Sequence, residues 1–129
     1  MMAAVRGKDT KPEKLVRSRL FADGFRFRLH VKKLPGNPDL VLPRFKTAVF
    51  VHGCFWHGHD CRRGRRPTSN TEFWDRKLDR NIERDHEKAN DLKREGWAVE
   101  IIWECRLDRD LNRTLRRLRN KRTRSTKSL

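Results

Sequence analysis

Thr47-Ala48-Val49-Phe50-Val51 runs without a break into His52-Gly53-Cys54-Phe55-Trp56-His57-Gly58-His59-Asp60-Cys61, and the reading of this stretch decides the fold. The first part is apolar on both faces of a strand. Such continuous apolarity predicts a central strand in a sheet covered above and below. The second part is a compact loop with six metal ligands or proton carriers in ten positions. A buried strand that ends in such a loop is the arrangement by which a rigid sheet presents chemistry at its edge.

Upstream, Thr10-Lys11-Pro12-Glu13 predicts a helix start, with Thr10 as cap, Glu13 answering three residues on and Pro12 in the first turn. Gly24 ends that helix. Phe25, Phe27, Leu29 and Val31 alternate with Arg26, Arg28 and His30, which predicts a half-buried strand. Lys33 to Pro38 is turn chemistry, and Asp39-Leu40-Val41-Leu42 is a short strand. Downstream, the basic stretch Arg62 to Asn70 leads into a long helix from about Thr71 to Glu95, closed by Gly96. Its apolar seam is Leu78, Ile82, Ala89 and Leu92, and Asp85 falls on the same seam. Trp97 to Trp103 is a further buried strand, with Trp97 and Trp103 assigned to the core. Leu111, Leu115 and Leu118 mark a short final helix. The expected architecture is one α/β domain over residues 1–119, a central mixed sheet flanked by helices, followed by a basic, disordered tail over residues 120–129.

Composition narrows the partners. The 129 residues carry 33 Lys and Arg against 17 Asp and Glu, a formal net charge of +16, so the surface attracts polyanions. Nucleic acid comes first, with DNA and RNA level on charge alone and a membrane surface well behind. The longest apolar run falls far short of the roughly 20 residues that span a bilayer, and no Lys-initiated apolar leader opens the chain, so the expectation is a soluble, non-secreted protein. Three cysteines is an odd count, and two stand near histidines, which favours thiolates binding metal in a reducing cytoplasm over disulfides.

Three constellations carry chemistry. Closely spaced Cys and His on a loop form a tetrahedral zinc site when distant residues complete it. Cys105, after the last strand, is one such residue. Asp85 is the other, because a carboxylate on a buried helix seam is costly unless it is paired or holds a metal. The expected zinc set is therefore His59, Cys61, Asp85 and Cys105, against the alternative of ordinary buried thiols and an Asp85–Arg pair. Asp39 opens a strand beside the strand that ends at His52, so adjacent strand ends bring together Asp39, the Val51 carbonyl and the His52–His57 loop. That oxygen set suits Mg²⁺ and phosphodiester hydrolysis, against the alternative of an Asp that caps its own turn. Phe55, Trp56 and Trp74 interleave with basic residues and suit wedging between base steps; for Trp56 a place in the core is the equal alternative.

Taken in order, Gly7-Lys8-Asp9-Thr10-Lys11-Pro12-Glu13, Leu34-Pro35-Gly36-Asn37-Pro38-Asp39, His52 to His57, Thr71-Glu72-Phe73-Trp74, Asn81-Ile82-Glu83-Arg84-Asp85 and Gly96-Trp97 through Cys105 closely resemble the bacterial very-short-patch repair (Vsr) endonucleases, a branch of the restriction-endonuclease-like fold. The resemblance runs from about Arg6 to Leu107. It implies Mg²⁺-dependent nicking of double-stranded DNA at thymine–guanine mismatches, with structural Zn²⁺. It implies Asp39 as the Mg²⁺-binding carboxylate, with the Val51 carbonyl beside it, and His57 as the catalytic histidine. His52 and Glu13 are implied as supporting catalytic residues, and His59, Cys61, Asp85 and Cys105 as zinc ligands. Phe55, Trp56 and Trp74 match the aromatics that enter the base stack. Val51 departs from the best-known member, which has threonine there. The chain also has five residues upstream of Arg6 where the family carries a longer basic arm, with Met2 as the candidate minor-groove wedge. The implied setting is a monomer in the bacterial cytoplasm, associated with the nucleoid, with general mismatch-repair proteins as possible partners. The rival readings are a zinc-stabilised nucleic-acid-binding module without catalysis and a nickase of the same fold without mismatch preference.

Overall fold

A computed structural model describes residues 10–127; Met2 and the start of the first motif lie outside the described residues. The elements follow the order α1 (Lys11–Ala22), β1 (Arg28–Leu29), β2 (Leu40–Leu42), β3 (Thr47–His52), α2 (Thr71–Arg94), β4 (Ala98–Trp103) and α3 (Leu107–Lys127). The strands form one sheet in the order β1-β2-β3-β4. β1 and β3 both pair antiparallel with β2, and β4 lies parallel to β3, so the sheet is mixed. A parallel neighbour needs a crossover, and α2 supplies it.

β3 has neighbours on both sides, and all six of its residues are buried. Its side chains alternate between two cores. Val49 and Val51 join Val16, Leu20, Leu40, Ile102, Leu111, Leu115 and Leu118 under α1 and α3. Ala48 and Phe50 face the other way, onto Leu92 of α2, with Trp97 and Ile101 at the border. Each fully buried leucine contributes about 1.5–3 kcal/mol, so this sandwich holds β3 and the loop after it firmly. The Thr10 hydroxyl accepts from the Glu13 N–H at 3.4 Å, as expected of the cap.

Two expectations are corrected. The strand expected over Phe25–Val31 contracts to Arg28–Leu29, which pair with Val41 and Leu40 and are both exposed, whereas the buried Phe25 lies outside it. His30 then takes φ +48°, which ends the extended run. The final helix is not short, and its basic end is not a free tail from residue 120. It reaches Lys127, with Lys121 Nζ donating to Thr47 Oγ1 at 2.9 Å and Arg122 Nη1 to the Asp23 carbonyl at 2.8 Å. The Arg122 guanidinium also lies 4.3 Å from the centre of the Phe25 ring. Long cationic side chains cover apolar surface with their stems while their heads find acceptors. Among the described residues no helix is long and apolar enough to cross a membrane.

Candidate active site and metal centre

The C-terminal end of β3 and the turn before β2 open into one groove of about 1100 Å³. Its walls carry Glu13, Asp39, Val51, His52, Phe55, Trp56, His57 and Asp85, with Lys32, Lys33, Arg84 and Lys88 around them. The expected catalytic residues, scattered over Glu13 to His57 in the chain, therefore share one cavity. Asp39 is held by the neighbouring strand, its Oδ2 accepting the Val51 N–H at 2.7 Å. Burial raises its pKa from 3.8 to about 7, against the opposing pull of the Val51 N–H, and the nearby Glu13 carboxylate raises it further. A half-buried carboxylate in that state is one whose charge calls for a cation.

This shift predicts how the metal-free protein responds to pH. The folded chain keeps the Asp39 proton up to about pH 7, whereas the unfolded chain releases it near 3.8. The folded state thus binds the extra proton in that window, and its stability falls as pH rises through it. Asp39→Asn removes this dependence. Thermal melts without added Mg²⁺ at about pH 4 and about pH 8 should show the variant gaining on the wild type at the higher pH. A constant difference between the two would show that Asp39 titrates normally.

His57 is fixed from two sides. Its Nδ1 lies 2.6 Å from Asp85 Oδ2. Its ring stacks on His52 with centroids 3.7 Å apart and planes 3° from parallel. Burial, and then the proximity of His57, lower the His52 pKa to about 3, so His52 is neutral and the stack never sets two imidazolium charges face to face. The Nδ1 of His52 is buried with no hydrogen-bond partner among the described residues.

Cys54, His59, Cys61 and Cys105 form a separate group, with one ligand atom of each within 4.8 Å of the others. The structure thus gathers three of the four expected zinc ligands but puts Cys54 where Asp85 was expected. Asp85 lies instead against His57. The premise that its carboxylate needs a partner holds; the partner is an imidazole on the loop that α2 packs against. The signal for Cys54 was present in the preference of closed zinc sites for thiolates. Burial pushes the Cys54 thiol up to about 12. Burial also works against the Cys61 thiolate, but hydrogen bonds from the Gly64 N–H and the Cys54 and Cys105 thiols outweigh it and hold Cys61 below its ordinary value. Burial and then Arg106 lower the pKa of His59, whose ring stacks on Trp103 at 4.0 Å. Gly64 closes the loop: a Cβ there would meet the His59 carbonyl oxygen at 1.9 Å. Four nitrogen and sulfur donors in one closed group fit a tetrahedral metal ion.

Phe55, Trp56 and Trp74 belong to neither core. They pack edge to face or tilted, with centroids 4.9–6.1 Å apart, and Phe73 leans on Trp74 from the solvent side. All three are partly exposed, and Phe55 and Trp56 line the groove. The Trp56 carbonyl accepts from Asn81 Nδ2 at 2.9 Å, which ties the aromatic loop to α2.

Comparison with known proteins accords with this geometry. The sequence model of the family described as DNA mismatch endonuclease Vsr matches residues 1–63. The Type II nicking enzyme V.XorIIP of Xanthomonas oryzae pv. oryzae is 51% identical over 120 residues, covering 93% of this chain and 88% of that protein. The Type II nicking enzyme V.NmeAIP of Neisseria meningitidis is 44% identical over 126 residues, covering 93% and 90%. The DNA mismatch endonuclease Vsr of Escherichia coli is 42% identical over 106 residues, covering 82% and 68%.

Proposed function

The chain belongs to the Vsr family of DNA mismatch and nicking endonucleases and is itself an endonuclease, and on that premise we propose that it nicks one strand of duplex DNA at thymine–guanine mismatches. The observation that carries this reading is the shared groove: Asp39, Glu13, His52 and an Asp85-held His57 on its walls, with partly exposed Phe55 and Trp56 beside them. Asp39 and the Val51 carbonyl are the residues that would hold Mg²⁺, which when bound polarises a phosphate and activates water. Asp85 occupies His57 Nδ1, which leaves Nε2 as the nitrogen that exchanges a proton at the scissile phosphate. His52, neutral and stacked beneath, keeps that ring from turning, and Glu13 stands beside Asp39 on the metal side. Cys54, His59, Cys61 and Cys105 would hold a structural Zn²⁺. Lys32, Lys33, Arg84 and Lys88 supply the positive rim that a phosphate backbone seeks. We place the protein as a monomer in the bacterial cytoplasm, on DNA.

The test is Mg²⁺-dependent nicking of two duplexes that differ only in a thymine–guanine mismatch, with a nick expected in the mismatched one. Equal nicking of both would favour the second reading, a nickase of the same fold without mismatch preference, for which the relatives' description as nicking enzymes speaks. The same duplexes test how the mismatch is felt. A wobble pair is easier to open than a matched one, so side chains that enter the stack select it. Stacking is worth roughly 1–3 kcal/mol per base, so Trp56→Ala should weaken mismatch binding by about one to two orders of magnitude and matched binding much less. Because Trp56 is outside both cores, its melting temperature should scarcely move. Equal losses on both duplexes with a large drop in melting temperature would return Trp56 to the core.

A further inference from the structure

β1 ends at Leu29, and the residue after it adopts a backbone that L side chains rarely take, with His30 at φ +48°. The His30 N–H donates to the Asp39 carbonyl at 3.1 Å, which fixes the turn against the start of β2. The imidazole lies beside a carboxylate of the groove, with Nε2 4.0 Å from Oε2 of the buried Glu13. One ligand atom each of Glu13, His30 and Asp39 lies within 4.8 Å of the others. Sequence periodicity treated His30 as merely the polar side of a strand.

A cation already sits between two of these residues. Arg17 Nη2 is 3.2 Å from Glu13 Oε2 and 3.2 Å from His30 Nε2. A guanidinium only donates, so His30 Nε2 meets it with its lone pair. A carboxylate oxygen and an imidazole lone pair turned toward one positive charge are the donors a divalent ion would take in its place.

We propose that His30 is a further ligand of the catalytic metal ion, completing a Glu13–His30–Asp39 set whose nitrogen donor shifts the site's preference from Mg²⁺ toward Mn²⁺. Magnesium is a hard ion that favours oxygen donors and retained water, whereas imidazole suits first-row transition ions. Glu13, Asp39 and the Val51 carbonyl alone make an oxygen site; His30 makes it a mixed one. Occupation displaces the Arg17 guanidinium from between Glu13 and His30. This inference rests on the reading of Asp39 as the metal-binding carboxylate.

The test measures binding without turnover. MnCl₂ is added to the full chain and followed by electron paramagnetic resonance, with pulsed spectra reporting nitrogen coupled to the bound ion, and MgCl₂ binding is measured by calorimetry. Wild type should show nitrogen coupling. His30→Asn, which tolerates the left-handed backbone, should lose that coupling, weaken Mn²⁺ by about tenfold and change Mg²⁺ by no more than about twofold. Should that variant fold poorly, His30→Gln serves in its place. Bound Mn²⁺ with no nitrogen coupling in the wild type overturns the inference, as does coupling that survives in the folded variant or an equal loss for both ions. Asp39→Asn separates the two levels. Its loss of Mn²⁺ binding supports the underlying reading, whereas wild-type binding by Asp39→Asn means the ion lies elsewhere and that reading fails with it.

Discussion

Asp39→Asn is expected to abolish strand nicking while duplex binding stays close to that of the wild type. The asparagine keeps an oxygen that can accept the Val51 N–H, so the β2–β3 junction that positions residue 39 is preserved. What is lost is a negative charge in a half-buried pocket where Glu13 is the other carboxylate nearby. Removing the anchor of a catalytic metal should lower single-turnover nicking by at least about 10³-fold. In the proposed function duplex binding runs through rim cations such as Lys32, Lys33, Arg84 and Lys88, none of which is altered. The measurement pairs single-turnover cleavage of a mismatched duplex with anisotropy binding of the same duplex. Residual nicking above a few per cent of the wild-type rate would remove Asp39 from the chemistry, and an equal collapse of binding would make it a fold residue.

The second large effect comes from exchanging the fates of Cys54 and Asp85. Cys54→Ala should lose bound zinc and much of the folded protein, because a structural ion held by Cys54, His59, Cys61 and Cys105 contributes directly to folding. Asp85→Asn should keep its zinc and its fold yet lower nicking by about 10²- to 10⁴-fold, because an amide no longer holds His57 in the tautomer and orientation that proton transfer needs. Elemental analysis, a melt and a nicking assay on each variant decide the matter. A metal-free Asp85→Asn protein beside a metal-replete Cys54→Ala protein would restore the ligand set of His59, Cys61, Asp85 and Cys105 expected from sequence.

The first two helices and the central strand were legible from the chain because each is governed by short-range pattern. Thr10 and Pro12 start α1, Gly96 follows α2, and the unbroken apolarity of Thr47–Val51 marks a strand covered on both faces. Where a pattern needed a covering layer to mean anything, the reading overreached. The alternation from Phe25 to Val31 is real in the sequence, yet β1 is an edge strand of two exposed residues, and the core covers Phe25, which lies before it. The basic run from Asn120 looked solvated because net charge was the only cue. In the fold the Asp23 carbonyl and Thr47 give Lys121 and Arg122 acceptors from distant parts of the chain.

The same division runs through the site. Sequence alone determined which residue types gather at the end of β3, because the ligand-rich loop is continuous in the chain and its Cys, His and aromatic content is itself the signal. It could not assign pairs across the fold. Asp85 on the α2 seam was bound to meet something from the loop, but which of His57 and His59 it meets depends on a rotation of α2 by a fraction of a turn. Only packing against the sheet sets that rotation: Leu78 and Leu92 bury the helix, and Asp85 is left facing His57. With Asp85 so placed, Cys54 completes the thiolate group instead. His30 is the clearest case: its φ of +48° takes it out of the extended run in which the alternation placed it, and its N–H donates to the Asp39 carbonyl across the sheet. Local composition determines what chemistry is available, and the tertiary structure decides which groups meet, because the energies that orient a side chain come from neighbours the sequence does not place.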